Sequence, residues 1–414
     1  MAKISQFLLI LSTIAAWLSC SGIPASKNNV FVGDTLAPNS SGKNSSDSLL
    51  VLGAQRTESY LPILKGKKVA VVANQTSIVN GQHLVDFLLA QKVDVRRVFA
   101  PEHGFRGEAG PGDKVASGID SKTGLPVISL YGSRRRPSKE DLEQIDLVLF
   151  DIQDVGVRFY TYISTLHYVM EECALYGIQV LVLDRPNPNG FYVDGPVLDT
   201  AFSSFVGVAP IPIVHGLTVG EYAKMATGEG WLKNSRKCNL QVVPMLNYFH
   251  SQEYRLPINP SPNLTSMDAI ILYPTLCLFE GTVISVGRGT PHPFTCMGFP
   301  GFADGNMQYT PVEIPGVIKD PPFEGLLCNA RNLTPEVTRI KKERRLMLEW
   351  VLEMHKAYPE KDRFFNPFFG KLSGNDFLRK QIEQGLSVEE IQSTWQPALN
   401  NFKLKRKKYL LYPD

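Results

Sequence analysis

Two stretches of this sequence place acidic, imidazole and guanidinium side chains directly after short apolar runs. The first run is Val95 to Ala100 and the second is Leu147 to Phe150. An apolar run of this length predicts a buried parallel strand. The polar residues that follow are Glu102, His103 and Arg106 in the first stretch and Asp151, Gln153, Asp154 and Arg158 in the second. Since ligands in open α/β sheets bind beyond the carboxyl ends of such strands, these side chains are candidates for chemistry.

Glu102 is the foremost candidate for a catalytic group. Pro101 and Gly104 flank its turn, and a partly desolvated carboxyl at a strand end can act as a general acid. The alternative is an ordinary exposed loop glutamate. His103 either orients Glu102 or binds substrate, with a structural hydrogen bond as the alternative.

Asp151 and Glu280 are the candidates for a second catalytic carboxylate. Asp151 directly follows the second run, and Glu280 lies just past a strand that we predict over 268–273. For Asp154, a cap on the next helical segment and an ion pair with Arg158 compete with a role at the site.

Other polar residues at predicted element ends are candidates for substrate binding. A guanidinium such as that of Arg288 suits a substrate carboxylate, although a structural salt bridge to Glu280 would equally explain it. Tyr160 offers an aromatic face to a sugar ring. The complete set is His103, Arg106, Asp154, Arg158, Tyr160, Asp184, His215, Asn263 and Arg288.

No cofactor is expected from the motifs. The first predicted strand, Val69 to Ala73, leads into Asn74 with no GxGxxG, and GxxxxGK[ST] is absent from the chain. Binding of NAD or ATP in the usual way is therefore not expected. Hard oxygens and an imidazole could form a metal site, but no ligand spacing supports one, so no metal is predicted. The residues considered for it are Glu102, His103, Asp151 and Asp184.

The elements that must position these residues alternate between strand and helix. The predicted strands are 69–73, 95–100, 147–150, 180–183, 240–244 and 268–273, and the predicted helices are 82–90, 139–145, 161–176 and 218–226. This alternation predicts an α/β fold, with a Rossmann-like, mostly parallel sheet and helices on both faces. We place this catalytic domain at 48–282.

A smaller α+β auxiliary domain is predicted over 283–414. Its elements are helices over 334–357, 372–385 and 387–395, and an edge strand over 402–412 in which apolar and basic residues alternate. Net charge is +3, with 43 Lys and Arg against 40 Asp and Glu, which gives no support for a nucleic-acid partner.

The first twenty residues have the features of a signal peptide. Lys3 precedes the apolar run Phe7 to Leu18, and the segment ends in Cys20, which resembles the lipidated residue of a bacterial lipoprotein. An ordinary secretory signal is the alternative. Residues 21–47 are rich in Ser, Asn and Gly and predict a flexible tether. We therefore expect an exported protein in the periplasm or cell envelope, attached to the membrane through Cys20.

Six ordered blocks resemble the exo-β-N-acetylmuramidase family known as NamZ. They cover nearly all of 95–298, and a further family block, LSGxDxLRxQI, is matched at 372–382. The blocks are PEHGFRGEAGPG, FDIQDVGVRFYTYISTL, DRPNPNG, VHGLTVGEYA, SPNLTSMDAIILYPTLCLFEGT and SVGRGTPHPF. Asn189 and Asn375 depart from the family pattern within their blocks.

The resemblance implies a Rossmann-like domain, a smaller C-terminal domain and an active-site cleft between them. It implies release of terminal β-linked N-acetylmuramic acid from the non-reducing ends of peptidoglycan fragments, and the family's catalytic glutamate falls on Glu102. The lactyl carboxylate of muramic acid would account for the Arg residues. Two alternatives remain: a non-catalytic lipoprotein that binds peptidoglycan fragments, and a metal-dependent hydrolase or esterase.

Overall fold

The structure is a computed structural model and describes residues 49–107 and 117–414. The predicted signal peptide, the tether and Cys20 lie outside the described residues. The strands are β1 (Lys68–Ala73), β2 (Ile78–Val79), β3 (Gln82–His83), β4 (Asp94–Ala100), β5 (Gly118–Ile119), β6 (Pro126–Ser129), β7 (Leu147–Asp151), β8 (Gln179–Leu183), β9 (Leu240–Val243), β10 (Cys296–Phe299), β11 (Met307–Tyr309) and β12 (Cys328–Asn332).

In the described residues, twelve α-helices lie before, between and after the strands. They are α1 (Thr57–Leu64), α2 (Leu84–Ala90), α3 (Lys139–Leu142), α4 (Tyr162–Tyr176), α5 (Val219–Gly228), α6 (Met267–Leu276), α7 (Val337–Glu343), α8 (Leu348–Ala357), α9 (Lys361–Phe364), α10 (Phe369–Ser373), α11 (Phe377–Glu383) and α12 (Val388–Arg406).

Seven strands form the central sheet, in the order β5-β6-β4-β1-β7-β8-β9. Each neighbouring pair is parallel except β5 and β6, which are antiparallel. The C-terminal region holds a separate antiparallel sheet, β10-β12-β11, together with helices α7 to α12. The predicted fold class is therefore confirmed: a mostly parallel α/β sheet with a smaller α+β region.

The sheet separates two apolar cores because successive side chains of a strand point to opposite faces. In β7, Val148 and Phe150 join one core, whereas Leu147 and Leu149 join the other. All five residues of β7 are buried. This two-sided burial explains why the central strands are continuous apolar runs in the sequence.

The strand predicted over 268–273 is wrong, because these residues belong to helix α6. Ser266 caps this helix by accepting a hydrogen bond from the Ala269 amide. The helix is buried on nearly all sides, so its sequence shows no polar face and no helical periodicity. A short apolar run without periodicity fits a buried strand and a buried helix equally well.

The edge strand predicted over 402–412 is also wrong, since helix α12 continues to Arg406. The helix begins with a capping box formed by Ser387 and Glu390. Beyond it, four buried apolar residues recur every three or four positions, which is the helical spacing. They are Ile391, Trp395, Leu399 and Phe402.

Two helices that the sequence predicts as continuous are interrupted. The segment 334–357 breaks at Arg344, which has a left-handed backbone with φ 54° and ends α7. The segment 372–385 breaks at Gly374, whose φ of 76° ends α10. A left-handed residue cannot continue a right-handed helix, so a new one begins after each break.

Within residues 49–107 and 117–414, none of the helices is both long and apolar enough to cross a membrane. The same part of the chain contains five cysteines, all of them free thiols and buried.

Candidate active site

A cleft of about 370 Å³ opens where β4, β6 and the amino end of α4 meet the C-terminal region. Its acidic residues are Glu102 and Glu280. Other residues that line it are His103, Tyr131, Arg135, Phe159, Tyr160, Thr161, Phe205, Asn263, Tyr273, Arg288, Phe294 and Lys371. Six of the residues predicted from the sequence therefore lie together: Glu102, Glu280, His103, Tyr160, Asn263 and Arg288.

Glu102 is presented by a tight turn at the end of β4. The Gly104 amide donates to the Pro101 carbonyl, and His103 adopts a left-handed φ of 69°. Such a backbone is costly for a non-glycine residue and is typical of functional sites. Glu102 is partly exposed, and the hydroxyl of Thr161 donates to its Oε2 at 2.7 Å. The turn thus holds the carboxyl group toward the cleft.

Glu280 lies in a short 3₁₀ helix, Cys277–Gly281, that continues α6 rather than following a strand. Its Oε1 accepts a hydrogen bond from Arg288 at 2.7 Å, and its Oε2 lies 3.7 Å from the Cys277 thiol. Burial raises the pKa of Cys277 well above its ordinary value, so the thiol is neutral and can donate. The salt bridge between Arg288 and Glu280, one of the two interpretations of Arg288, is present.

Aromatic rings form the floor of the cleft. The ring of Tyr273 makes edge-to-face contacts with Phe159, Tyr160 and Phe294, at centroid distances of 5.6, 5.9 and 5.0 Å. The Tyr160 hydroxyl donates to the Pro260 carbonyl. Burial raises the pKa values of Tyr160 and Tyr273, which keeps both phenols neutral. This floor suits the apolar face of a sugar ring.

Two exposed cations complete the cleft wall. Arg135 lies over the ring of Phe205, with 4.6 Å between its guanidinium carbon and the ring centroid. Lys371 faces the same cleft from α10. Neither forms a salt bridge with an acid in the described part of the chain. They differ in this from Arg288, whose charge is compensated by Glu280.

Asp151 and Asp184 end neighbouring strands but do not line the cleft. Asp151 is fully buried, and Arg185 donates to both of its carboxylate oxygens, at 2.5 and 2.8 Å. Asp184 is also fully buried and accepts from Thr218, Tyr412 and the Gly220 amide. Burial raises the pKa of Asp184 to about 6, against the lowering effect of these donors.

Asp154 and Arg158 are buried apart from each other, so the predicted ion pair does not form. Asp154 Oδ1 accepts from the Gly156 amide at 2.7 Å, and burial raises the pKa of Asp154 to about 7. Arg158 instead donates to three backbone carbonyls, and burial lowers its pKa to about 9. These carbonyls belong to Pro196, Ile211 and Leu372.

Arg106 and His215 also lie outside the cleft. Arg106 binds Asp120 through two hydrogen bonds of 2.8 Å and contacts Asp86. His215 is buried and accepts from the Leu217 amide, and burial lowers its pKa to about 3. Their contacts hold loops in place.

No group of three or more His, Cys, Asp or Glu side chains in the described ranges is arranged to hold a metal ion. Glu102 and His103 lie at the cleft, while Asp151 and Asp184 are engaged elsewhere. The structure therefore does not bring the four considered ligands together.

Several cleft residues were not identified from the sequence, among them Thr161, Tyr273, Arg135 and Lys371. Tyr273 was missed because residues 268–273 were predicted as a strand and not as part of helix α6. A threonine at the start of a helix predicts a cap, which masks any other role for Thr161. For the two exposed cations, the sequence carries no signal that distinguishes them from other surface charges.

The fold and the site define an α/β protein with a cleft that joins two carboxyl groups, an aromatic floor and basic side chains. Two family models match the chain: exo-β-N-acetylmuramidase NamZ, N-terminal, over residues 69–268, and the C-terminal part of the same family over residues 271–412. The chain belongs to this family. The predicted domain boundary at 282 itself stays a prediction.

A curated relative is the peptidoglycan β-N-acetylmuramidase NamZ of Bacillus subtilis (strain 168). It is 39% identical over 371 residues, which cover 85% of this chain and 89% of the relative. Two crystal structures of DUF1343 family proteins from Bacteroides fragilis NCTC 9343 have similar folds. The first has a TM-score of 0.81 at 46% identity and covers 89% of this chain and all of its own. The second has a TM-score of 0.70 at 30% identity, with 88% and 99% coverage.

Proposed function

We propose that this protein is a glycoside hydrolase that releases terminal β-linked N-acetylmuramic acid from the non-reducing ends of peptidoglycan fragments. The observation that carries the proposal is the position of Glu102, the glutamate of the family's PEHG block. It is one of two acidic residues that line the cleft. Kinship with a peptidoglycan β-N-acetylmuramidase supplies the substrate class.

The chemistry requires two carboxyl groups on either side of the scissile bond. One protonates the leaving oxygen, and the other attacks the anomeric carbon or activates a water molecule. Glu102 and Glu280 are the pair that the cleft offers, and both are oriented by hydrogen bonds, from Thr161 and Arg288 respectively. Asp151, the other predicted carboxylate, is neutralised by Arg185 and has no access to the cleft.

The remaining cleft residues fit a sugar that carries an acid. The floor around Tyr273 can contact the apolar face of the ring. The lactyl carboxylate of muramic acid needs a cationic partner, and Arg135 and Lys371 are the cations whose charge is not already compensated by a described acid.

Turnover of a chromogenic β-N-acetylmuramide by the purified protein tests the proposal. We expect release of the chromophore by the wild type, unaffected by dialysis against EDTA, and slower release from the N-acetylglucosamine analogue. Binding of muramic acid saccharides without any turnover would favour a binding protein. Loss of activity to EDTA with recovery on adding a divalent ion would favour a metal-dependent hydrolase.

We further propose that the enzyme is exported and held at the membrane through a lipidated Cys20. The supporting features are the signal-like first twenty residues and the polar segment 21–47. We expect Cys20→Ser to move the protein from the membrane fraction to the soluble fraction. A wild-type protein that is already soluble would contradict the anchor but leave the enzymatic proposal intact.

A further inference from the structure

Thr161 stands at the start of helix α4 but does not cap it. In the described part of the chain, four other helices are preceded by Ser or Thr, and each of those side chains accepts a hydrogen bond from an amide in the first turn. These four residues are Ser138, Thr218, Ser266 and Ser387. The side chain of Thr161 makes no such bond. Its hydroxyl donates instead to Glu102, across 59 residues of chain.

Backbone geometry explains this difference. The four capping residues are extended, for example Thr218 with φ −72° and ψ 170°, which turns the side chain back toward the first turn. Thr161 is already helical, with φ −76° and ψ −4°. Its carbonyl accepts from the Thr165 amide in the helical pattern, and its side chain is directed to Glu102. With 9% of its surface exposed, Thr161 has little water to compete for the hydroxyl.

The bond and the helix both favour a negative charge on Glu102. A hydroxyl that donates to a carboxylate stabilises the ionised form. The amino end of α4, a helix of 15 residues, adds a partial positive charge within its first turn.

We propose that Thr161 is a positioning residue that holds Glu102 in the cleft as a carboxylate anion. This inference rests on the proposed glycoside hydrolysis. It assigns Glu102 to the role that needs a charged carboxylate, attack on the anomeric carbon or activation of water, and not to the acid role expected from the sequence. Glu280, the other carboxyl group of the cleft, then has to protonate the leaving oxygen.

Thr161→Val tests the inference, because valine keeps the shape of threonine and removes the hydroxyl. We expect kcat on the chromogenic β-N-acetylmuramide to fall at least tenfold, with KM little changed. The acidic limb of the pH profile of kcat/KM should move to higher pH. Thr161→Ser keeps the hydroxyl and should restore both values.

Ser387→Ala is the matched control, since it removes the side-chain cap of α12 at a residue that does not line the cleft. We expect a lower thermal midpoint, with kcat and the pH profile of the wild type. Should Thr161→Val not fold, Thr161→Ala takes its place, because alanine tolerates the first turn of a helix.

The outcomes separate the two proposals. A wild type without turnover would overturn the glycoside hydrolase itself. An active wild type whose Thr161→Val variant keeps its kcat and its acidic limb would overturn only the role of Thr161. A variant that is less stable but has an unchanged pH profile would show that the hydroxyl is merely structural, and would also overturn it.

Discussion

Glu102 and Asp151 lie at the carboxyl ends of β4 and β7, two strands of one sheet, and have opposite environments. Both come at the carboxyl end of a buried parallel strand, and their sequence contexts are alike. Glu102 is partly exposed in a cleft and receives one neutral hydroxyl hydrogen bond from Thr161. Asp151 is fully buried, and its charge is balanced by Arg185. An acid at the end of a strand is therefore a candidate for catalysis, and its hydrogen-bond partner distinguishes a catalytic role from a structural one.

Asp184 extends the comparison to the next strand. Three of its hydrogen-bond donors join the end of β8 to the start of α5 and, through Tyr412, to the end of the chain. The buried acids at this edge thus connect segments that are distant in sequence, while the exposed one is left for a ligand. From this we expect substitutions at the two kinds of acid to separate activity from stability.

Glu102→Gln should give the largest effect of the substitutions considered, and it should fall on activity alone. Glutamine keeps the shape of the side chain but can neither carry the charge nor give up a proton. We expect turnover to fall by about two to four orders of magnitude, with thermal unfolding close to that of the wild type. Steady-state kinetics with the natural disaccharide and with a nitrophenyl glycoside measure the loss.

The two substrates also assign the role of Glu102. Similar losses on both agree with a charged carboxylate. A clearly smaller loss on the nitrophenyl glycoside, whose leaving group needs little protonation, would make Glu102 the acid. Turnover near that of the wild type would remove Glu102 from the mechanism.

Asp151→Asn should show the opposite behaviour. The variant leaves Arg185 buried without a counter-charge, and breaking a buried pair in this way costs about 3–5 kcal/mol. Denaturant titration should therefore show a large fall in the free energy of unfolding. Activity per folded molecule should stay within a fewfold of wild type, and a loss of turnover in a stable variant would return Asp151 to the site.

The sequence was sufficient to predict the central strands, because a strand that is buried on both faces has a continuous apolar sequence. The predicted strands 95–100 and 180–183 differ from β4 and β8 only at their first residues. It was not sufficient for α6, whose all-round burial removes the helical pattern. A run of apolar residues predicts that the segment is buried. Polar residues at a regular spacing are needed to predict whether it is a helix or a strand.

For the site, the sequence identified which side chains carry chemistry but not which of them meet. Arg185 pairs with Asp151 across 34 residues, and Thr161 reaches Glu102 across 59. Partners at such separations depend on strand order and register, which composition and spacing do not encode. Strand-end acids that are compensated inside the fold, such as Asp151, therefore could not be distinguished from Glu102, which faces the cleft.

Asp154 offers a pH test of the same principle, with a smaller effect. Burial raises its pKa to about 7 in the folded protein, against an ordinary value of 3.8. Between these two values the folded state keeps a proton that the unfolded state has released, so this group makes stability fall as pH rises through the window. The contribution is on the order of 4 kcal/mol.

Asp154→Asn removes this titration while keeping an oxygen for the Gly156 amide. We expect the wild type to lose stability relative to the variant as pH rises from about 4 to about 8. Parallel free-energy curves for the two proteins across that range would contradict the shift. Asp184 titrates in both proteins, so it does not affect the difference between them.

Arg135 and Arg288 allow the same comparison to be made between two cations of the cleft. Their substitution should have the smallest effect of the changes considered. Arg288 is compensated by Glu280, whereas Arg135 lies on Phe205 with its guanidinium edge free for a carboxylate. At an exposed site the contact is worth about tenfold in kcat/KM. Arg135→Ala should lower kcat/KM about tenfold on the substrate with a free lactyl acid. It should leave kcat/KM unchanged on the lactyl methyl ester, which has no charge.

Arg288→Ala should lower kcat/KM on both substrates to a similar extent, because it removes the ion-pair partner of Glu280. The opposite result would be that only Arg288→Ala loses kcat/KM on the acid while keeping it on the ester. The ion pair between Arg288 and Glu280 would then open when substrate binds. Pairing with an acid inside the fold would not determine which cation recognises the substrate.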